Sequence, residues 1–111
     1  MEGITHRVAE ERSIALHREV ARRILARPEL LEQARNRVDG WSRERSISAH
    51  WIKAWSVLLG HSLDEVIVAI TDPGETGRSL RQTSPFAGVI DSKTRWEILR
   101  RCERERRAHE T

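Results

Sequence analysis

Apolar residues recur at three- and four-residue intervals along this chain, and nowhere do they alternate with polar ones. That regularity argues against sheet architectures, whose half-buried strands need a period of two. The first long example surrounds ERSIALHREVARRILAR, about residues 10–27. At ~100° per residue, Ile14, Leu16, His17, Val20, Ala21, Ile24 and Leu25 share one half of the helical wheel. Arg12, Arg18, Glu19 and Arg22 fill the other half, which predicts an amphipathic helix with a broad buried face. His17 falls near the middle of that face, where a neutral imidazole with satisfied ring nitrogens is the ordinary arrangement.

Breaks and caps divide the rest. Pro28 ends the first helix and can open the next. PELLEQARNRVDGW then spaces Leu30, Leu31, Ala34, Val38 and Trp41 helically, with Gly40 as a stop. SAHWIKAWSVLLG carries a stripe of Trp51, Trp55, Leu58 and Leu59 beside Ile52, and Gly60 stands at the C-cap position. Trp51 or Trp55 could serve a homodimer contact or the core. Ser62 and Glu65 form a capping box ahead of LDEVIVAI, the element expected to be most buried. Asp72-Pro73-Gly74-Glu75 is a second start signal, for a helix through Leu80 and Gln82 of under three turns. Ser84-Pro85 breaks it. Asp91 or Ser92 caps a final helix, with Trp96, Ile98, Leu99 and Cys102 on one face. Arg106 stands where the next core residue belongs, so residues 104–111, like 1–9, are expected as flexible or partner-ordered ends. The pattern predicts one all-α domain over 1–111, a compact orthogonal bundle of five or six short helices.

With 33% of residues charged and 38% hydrophobic, helices with wide solvated faces suit the chain better than a sandwich. Basic and acidic residues nearly balance up to residue 91, but residues 92–111 hold seven basic against four acidic. Such an end can meet phosphate or an acidic partner. The single cysteine, Cys102, cannot form an internal disulfide and fits a reducing cytoplasm. No apolar run approaches the ~20 residues needed to span a bilayer, and the N-terminal residues lack a signal-peptide core.

No cofactor, metal or enzymatic activity is expected. His6, His17, His50, His61 and His109 show no pairing at metal-ligand spacing. There is no Gly-x-Ser-x-Gly, and Gly74–Ser79 lacks the strand and Lys-Ser/Thr end of a phosphate loop. Arginine neighbours would lower the Cys102 thiol pKa, although its core position suits a structural cysteine.

Two stretches remain. SLDEVIVAITDPGETGRSLRQ can be drawn as helix, turn, helix, with Arg78, Arg81 and Gln82 offered to base edges. Its turn reads Thr71-Asp72-Pro73, a poor match to a helix-turn-helix, whose turn supplies a buried apolar residue after a glycine. LRQTSPFAGVI, Leu80–Ile90, carries one charge, Arg81, and the chain's one phenylalanine, Phe86. Its Pro-Phe-Ala-Gly tip could enter a partner's pocket. Alternatively, Phe86, Val89 and Ile90 could fold back onto the core.

SIALHREVARRILARPELLEQARNRV, WSVLLGHSLDEVIVAITD and LRQTSPFAGVIDSKTRWEILR together resemble small bacterial helical proteins of the antitoxin-like kind. The resemblance spans roughly residues 12–101, and its most distinctive part is Leu80–Ile90 followed by Arg95-Trp96-x-Ile98. It implies a cytoplasmic, non-enzymatic protein that neutralises a cognate toxin encoded nearby. On that reading the contact comes from Leu80, Phe86, Val89, Trp96, Arg100, Arg101 and Arg104. The second reading is a DNA-binding regulator using Arg78, Arg81 and Gln82 on operator DNA.

Overall fold

Six helices build the protein, seen in a computed structural model that describes residues 2–110: α1 (Glu2–Ala26), α2 (Leu30–Glu44), α3 (Ala49–Leu58), α4 (Leu63–Thr71), α5 (Glu75–Arg81) and α6 (Ser92–Glu110). No strand occurs among the described residues. None of these helices is long and apolar enough to cross a membrane.

The helix boundaries follow local chemistry. Ser62 caps α4 by accepting from the Glu65 amide at 3.2 Å, while the Glu65 carboxylate turns to His61 instead of closing the box. Asp72 closes α4 and also caps α5 from outside it, its carboxylate accepting from the Gly74 and Gly77 amides at 3.0 and 3.2 Å. Gly77 rests on the Asp72 backbone, where a Cβ would collide with the Asp72 carbonyl. Asp91 starts α6, accepting from the Thr94 amide at 3.1 Å and the Thr94 hydroxyl at 2.7 Å.

Three boundaries differ from the sequence reading. α1 begins at Glu2, well before residue 10, and α6 stays helical to Glu110. Gly40 does not stop α2, because the residues around it keep the helix going. That helix ends at Arg45, which takes a left-handed conformation at φ 55°. Gly60 is no left-handed cap, since no described glycine has positive φ.

The core draws Val20 and Ile24 from α1, Leu31, Ala34 and Val38 from α2, and Trp55 and Leu59 around α3. Val66 and Ile70 of α4, and Phe86, Val89 and Ile90 of the loop after α5, complete it. α4 is less enclosed than its composition predicts: Val68 is 68% exposed. Leu25 also faces solvent, at the edge of the α1 apolar face. Trp55 is wholly buried, its indole N–H donating to Thr83 at 3.1 Å, so it is unavailable to a second copy.

The loop 82–91 folds inward. Phe86 is 2% exposed and meets Trp55 edge-on, ring centroids 5.8 Å apart. This resolves the fork over that residue in favour of the core.

Arg81 is the other inward surprise. Its side chain is 1% exposed. It donates to the Ile70 carbonyl at 3.2 Å and the Asp72 carbonyl at 2.7 Å, and it pairs with Glu10 of α1. A cation thus satisfies the carbonyl end of α4 while an acid from another helix neutralises it.

Phe86→Ala should destabilise the protein by ~3–5 kcal/mol, the usual loss for truncating a buried aromatic. Arg81→Met should cost a comparable ~3–5 kcal/mol, because it leaves the α4 carbonyls without their partner and Glu10 with only the exposed Arg78. Urea unfolding midpoints measure both. A loss below ~1 kcal/mol for either would contradict the role given to it here.

Candidate functional site

α6 runs back along α1. Near its start, Arg23 of α1 donates to Asp91, Thr94 and the Val89 carbonyl at 3.0–3.1 Å. Near its end, Arg101, Glu105 and His109 face Arg7, Glu11 and Ile14 across a groove. The two longest helices are therefore antiparallel, and α6 has an inner and an outer side.

The inner side carries Ile98, which is buried, with Leu99 and Cys102 half-buried. Trp96 does not join them and is 63% exposed. The reason is angular: at ~100° per residue Trp96 lies at the edge of that stripe, not at its centre. Arg106 continues the inner side, half-buried, with its guanidinium 2.6 Å from both oxygens of Glu103. The expected bare tail is thus laid against α1.

The outer side is a basic stripe around an aromatic. Lys93, Trp96, Arg100 and Arg104 recur at three- and four-residue spacing, and all four are exposed. Lys93, Arg100 and Arg104 have no carboxylate within ion-pair distance among the described residues. Several other arginines are matched, as in Arg22 and Arg23 with Glu19, or Arg107 with Glu103. Sequence reasoning missed Lys93, although its place three residues before Trp96 is visible once Trp96 is known to face out.

The predicted contact residues therefore separate. Trp96, Arg100 and Arg104 share the outer stripe. Arg101 turns toward the α1–α6 groove, 4.0 Å from Glu105. Leu80, Phe86 and Val89 are buried in the core and present no surface. Of the residues proposed for DNA, Arg81 is committed inside, Arg78 is exposed but 3.6 Å from Glu10, and Gln82 is exposed. Buried Arg81 cannot reach a base edge in this fold.

His17 is the most enclosed histidine described. Its Nδ1 donates to the Ser13 carbonyl at 2.8 Å, so Nε2 is the acceptor, and the Ser84 hydroxyl donates to it at 2.8 Å. The Ser84 oxygen in turn accepts from the Phe86 amide at 3.2 Å. This chain of bonds pins the loop to α1 and uses every polar atom of the imidazole. A serine beside a histidine is half of a nucleophile–base pair. Here the hydroxyl oxygen is held by the loop's own amide, an arrangement that serves packing.

Burial lowers the His17 pKa from its ordinary 6.5, and the nearby Arg81 and Arg95 charges add to that against the Ser13 hydrogen bond. Burial likewise raises the Cys102 thiol, helped by Glu105, so its arginine neighbours do not dominate as the sequence suggested. Asp91 is lowered to about 2, first by the Thr94 hydroxyl and amide and then by Arg23. Among the described residues no group of three His, Cys, Asp or Glu is placed to hold a metal ion.

Comparisons of the chain with protein-family models, with curated proteins and with solved structures find no match.

His17 gives stability a definite pH dependence. Between its lowered folded pKa and the ordinary 6.5, the unfolded chain holds the proton and the folded chain does not. Its stabilisation is therefore complete above ~6.5 and is lost as pH falls through the folded value. Asp91 acts in a separate window, from 3.8 down to about 2. Urea unfolding at pH ~7 and ~5 should show the wild type weakening on acidification and His17→Gln showing a smaller change. Equal slopes for the two proteins would refute this assignment.

Proposed function

We propose that this chain is an antitoxin-like binding protein, an orthogonal helical scaffold that seats a cognate toxin on the outer side of α6. The observation that carries this is Trp96. A large indole left 63% exposed is flanked on its own stripe by Lys93, Arg100 and Arg104. Tryptophan and arginine are the residues that most often dominate protein interfaces, the ring filling a pocket and the guanidinium taking a carboxylate. The partner face this fits is acidic with an apolar recess. The resemblance of the sequence to antitoxin-like proteins supplies the class of partner, a toxin encoded beside this chain, and a cytoplasmic setting. Binding requires no catalytic group.

The test is co-expression with the neighbouring gene product. Co-purification and relief of any growth arrest are expected. Trp96→Ala should weaken the complex by about tenfold or more. It should leave the unfolding midpoint within ~0.5 kcal/mol of wild type, because the side chain faces solvent. Failure to co-purify, or an unchanged affinity for Trp96→Ala, would remove this reading. A salt-sensitive mobility shift on the chain's own promoter, abolished by Arg100→Glu, would replace the protein partner with DNA.

A further inference from the structure

The inner side of α6 borders a second feature that the proposed partner face does not use. A cavity of about 470 Å³ opens between the middle of α1, the end of α5 and the start of α6. That volume is in the range of small-molecule sites. Its floor is apolar, with Leu16, Phe86 and Leu99 among the lining residues. Its charged lining is one-sided: beside the neutral Ser13, His17, Gln82 and Ser84, the arginines Arg12, Arg81 and Arg95 contribute to it and no carboxylate does.

Arg95 is what makes the cavity more than a surface dent. Five described arginines are not exposed: Arg23, Arg35, Arg81, Arg95 and Arg106. Arg23 and Arg81 each hold a carboxylate and a carbonyl. Arg35 takes the Leu59 carbonyl and Glu32, and Arg106 takes Glu103. Arg95 alone of the five has a guanidinium with neither a hydrogen bond nor an ion pair among the described residues. Its guanidinium is partly removed from water, and its donors face solvent and the cavity, where an anion would take them in place of water. The cavity therefore sets an uncommitted guanidinium beside an apolar floor.

We infer that this cavity binds a small organic monoanion, a carboxylate carrying an apolar body. The carboxylate sits on Arg95, with Arg12 at the rim, and the apolar body lies against Leu16, Phe86 and Leu99. One carboxylate offers the planar pair of acceptors that a guanidinium takes two at a time. Arg81 is already neutralised by Glu10, so a single negative charge matches the single enclosed cation. The floor distinguishes the ligand from inorganic phosphate, which would gain nothing from Leu16 or Leu99.

Octanoate, below its micelle concentration, is the probe, titrated calorimetrically into the full chain. Saturable binding at one site is expected, with octanol of equal length binding about tenfold or more weakly because it lacks the charge. Arg95→Gln should lose about tenfold, and Ala87→Trp, which fills the mouth from an exposed lining position, should abolish binding. Should Arg95→Gln fail to fold, Arg12→Gln serves in its place, with a loss of several-fold. The inference is overturned if octanoate shows no saturable binding at millimolar concentration, if octanol or phosphate binds as well, or if the arginine variants bind unchanged. Trp96→Ala should leave octanoate affinity as it was, which separates this site from the partner face.

Discussion

A buried guanidinium joins three helices of this protein, and much of the rest follows from it. Arg81 collects the last carbonyls of α4, holds the start of the α4–α5 turn through Asp72, and reaches Glu10 on α1. The ends of helices carry carbonyls with no partner of their own, so a cation there meets both a hydrogen-bonding need and the helix dipole. Enclosing a charge would cost more than those bonds return unless an acid accompanied it. Glu10 is that acid, and it brings the first half of α1 into the bundle. The Asp72 cap and the close approach at Gly77 then hold α5 on the same joint.

With α5 fixed, the loop that follows has little freedom. Thr83 lies under the Trp55 indole, Ser84 under His17, and Phe86 between the two rings, 5.8 Å from Trp55 and 6.5 Å from His17. An uncharged segment in a heavily charged chain is accounted for by this enclosure. Pro85 and Phe86 are buried, while Gln82 and the Ala87–Gly88 tip are exposed. Because the segment is spent on the core, the proposed partner contact lies elsewhere. The helix after it, with an indole that has no internal place, is where the unspent chemistry collects.

Helix existence, order and most caps were legible in the sequence, since they depend on residues within a few positions of one another. Ser62, Asp72 and Asp91 announce themselves by the amides they face two to five residues on. What was not legible depends on distant partners. Arg81 reads as a surface residue because arginine usually is one, and its acid lies 71 residues away. Periodicity assigned Trp96 and Leu25 to buried faces because it gives the direction of a stripe but not its width, which the neighbouring helices decide. Gly40 looked like a stop because glycine usually costs a helix about 1 kcal/mol. In α2, with Leu30, Leu31, Ala34 and Val38 packed, that cost is outweighed. The site suffered most from the same blindness: Leu80, Phe86 and Val89 were candidates for contact for the very apolarity that buries them.

The positive excess of the last twenty residues is therefore not one feature. Lys93, Arg100 and Arg104 project into water, where their field reaches an approaching partner but decays over a Debye length of ~8 Å at physiological salt. Arg95 and Arg106 point inward and act only at contact, in surroundings that screen less. The outward set suits steering and orientation, which change association rates more than final affinity. The inward pair differs within itself, since Arg106 has Glu103 and Arg95 has no acid. A count of net charge merges these three situations. The fold separates them by rotating successive residues of one helix toward solvent, toward α1, and toward a cavity with no carboxylate in its lining.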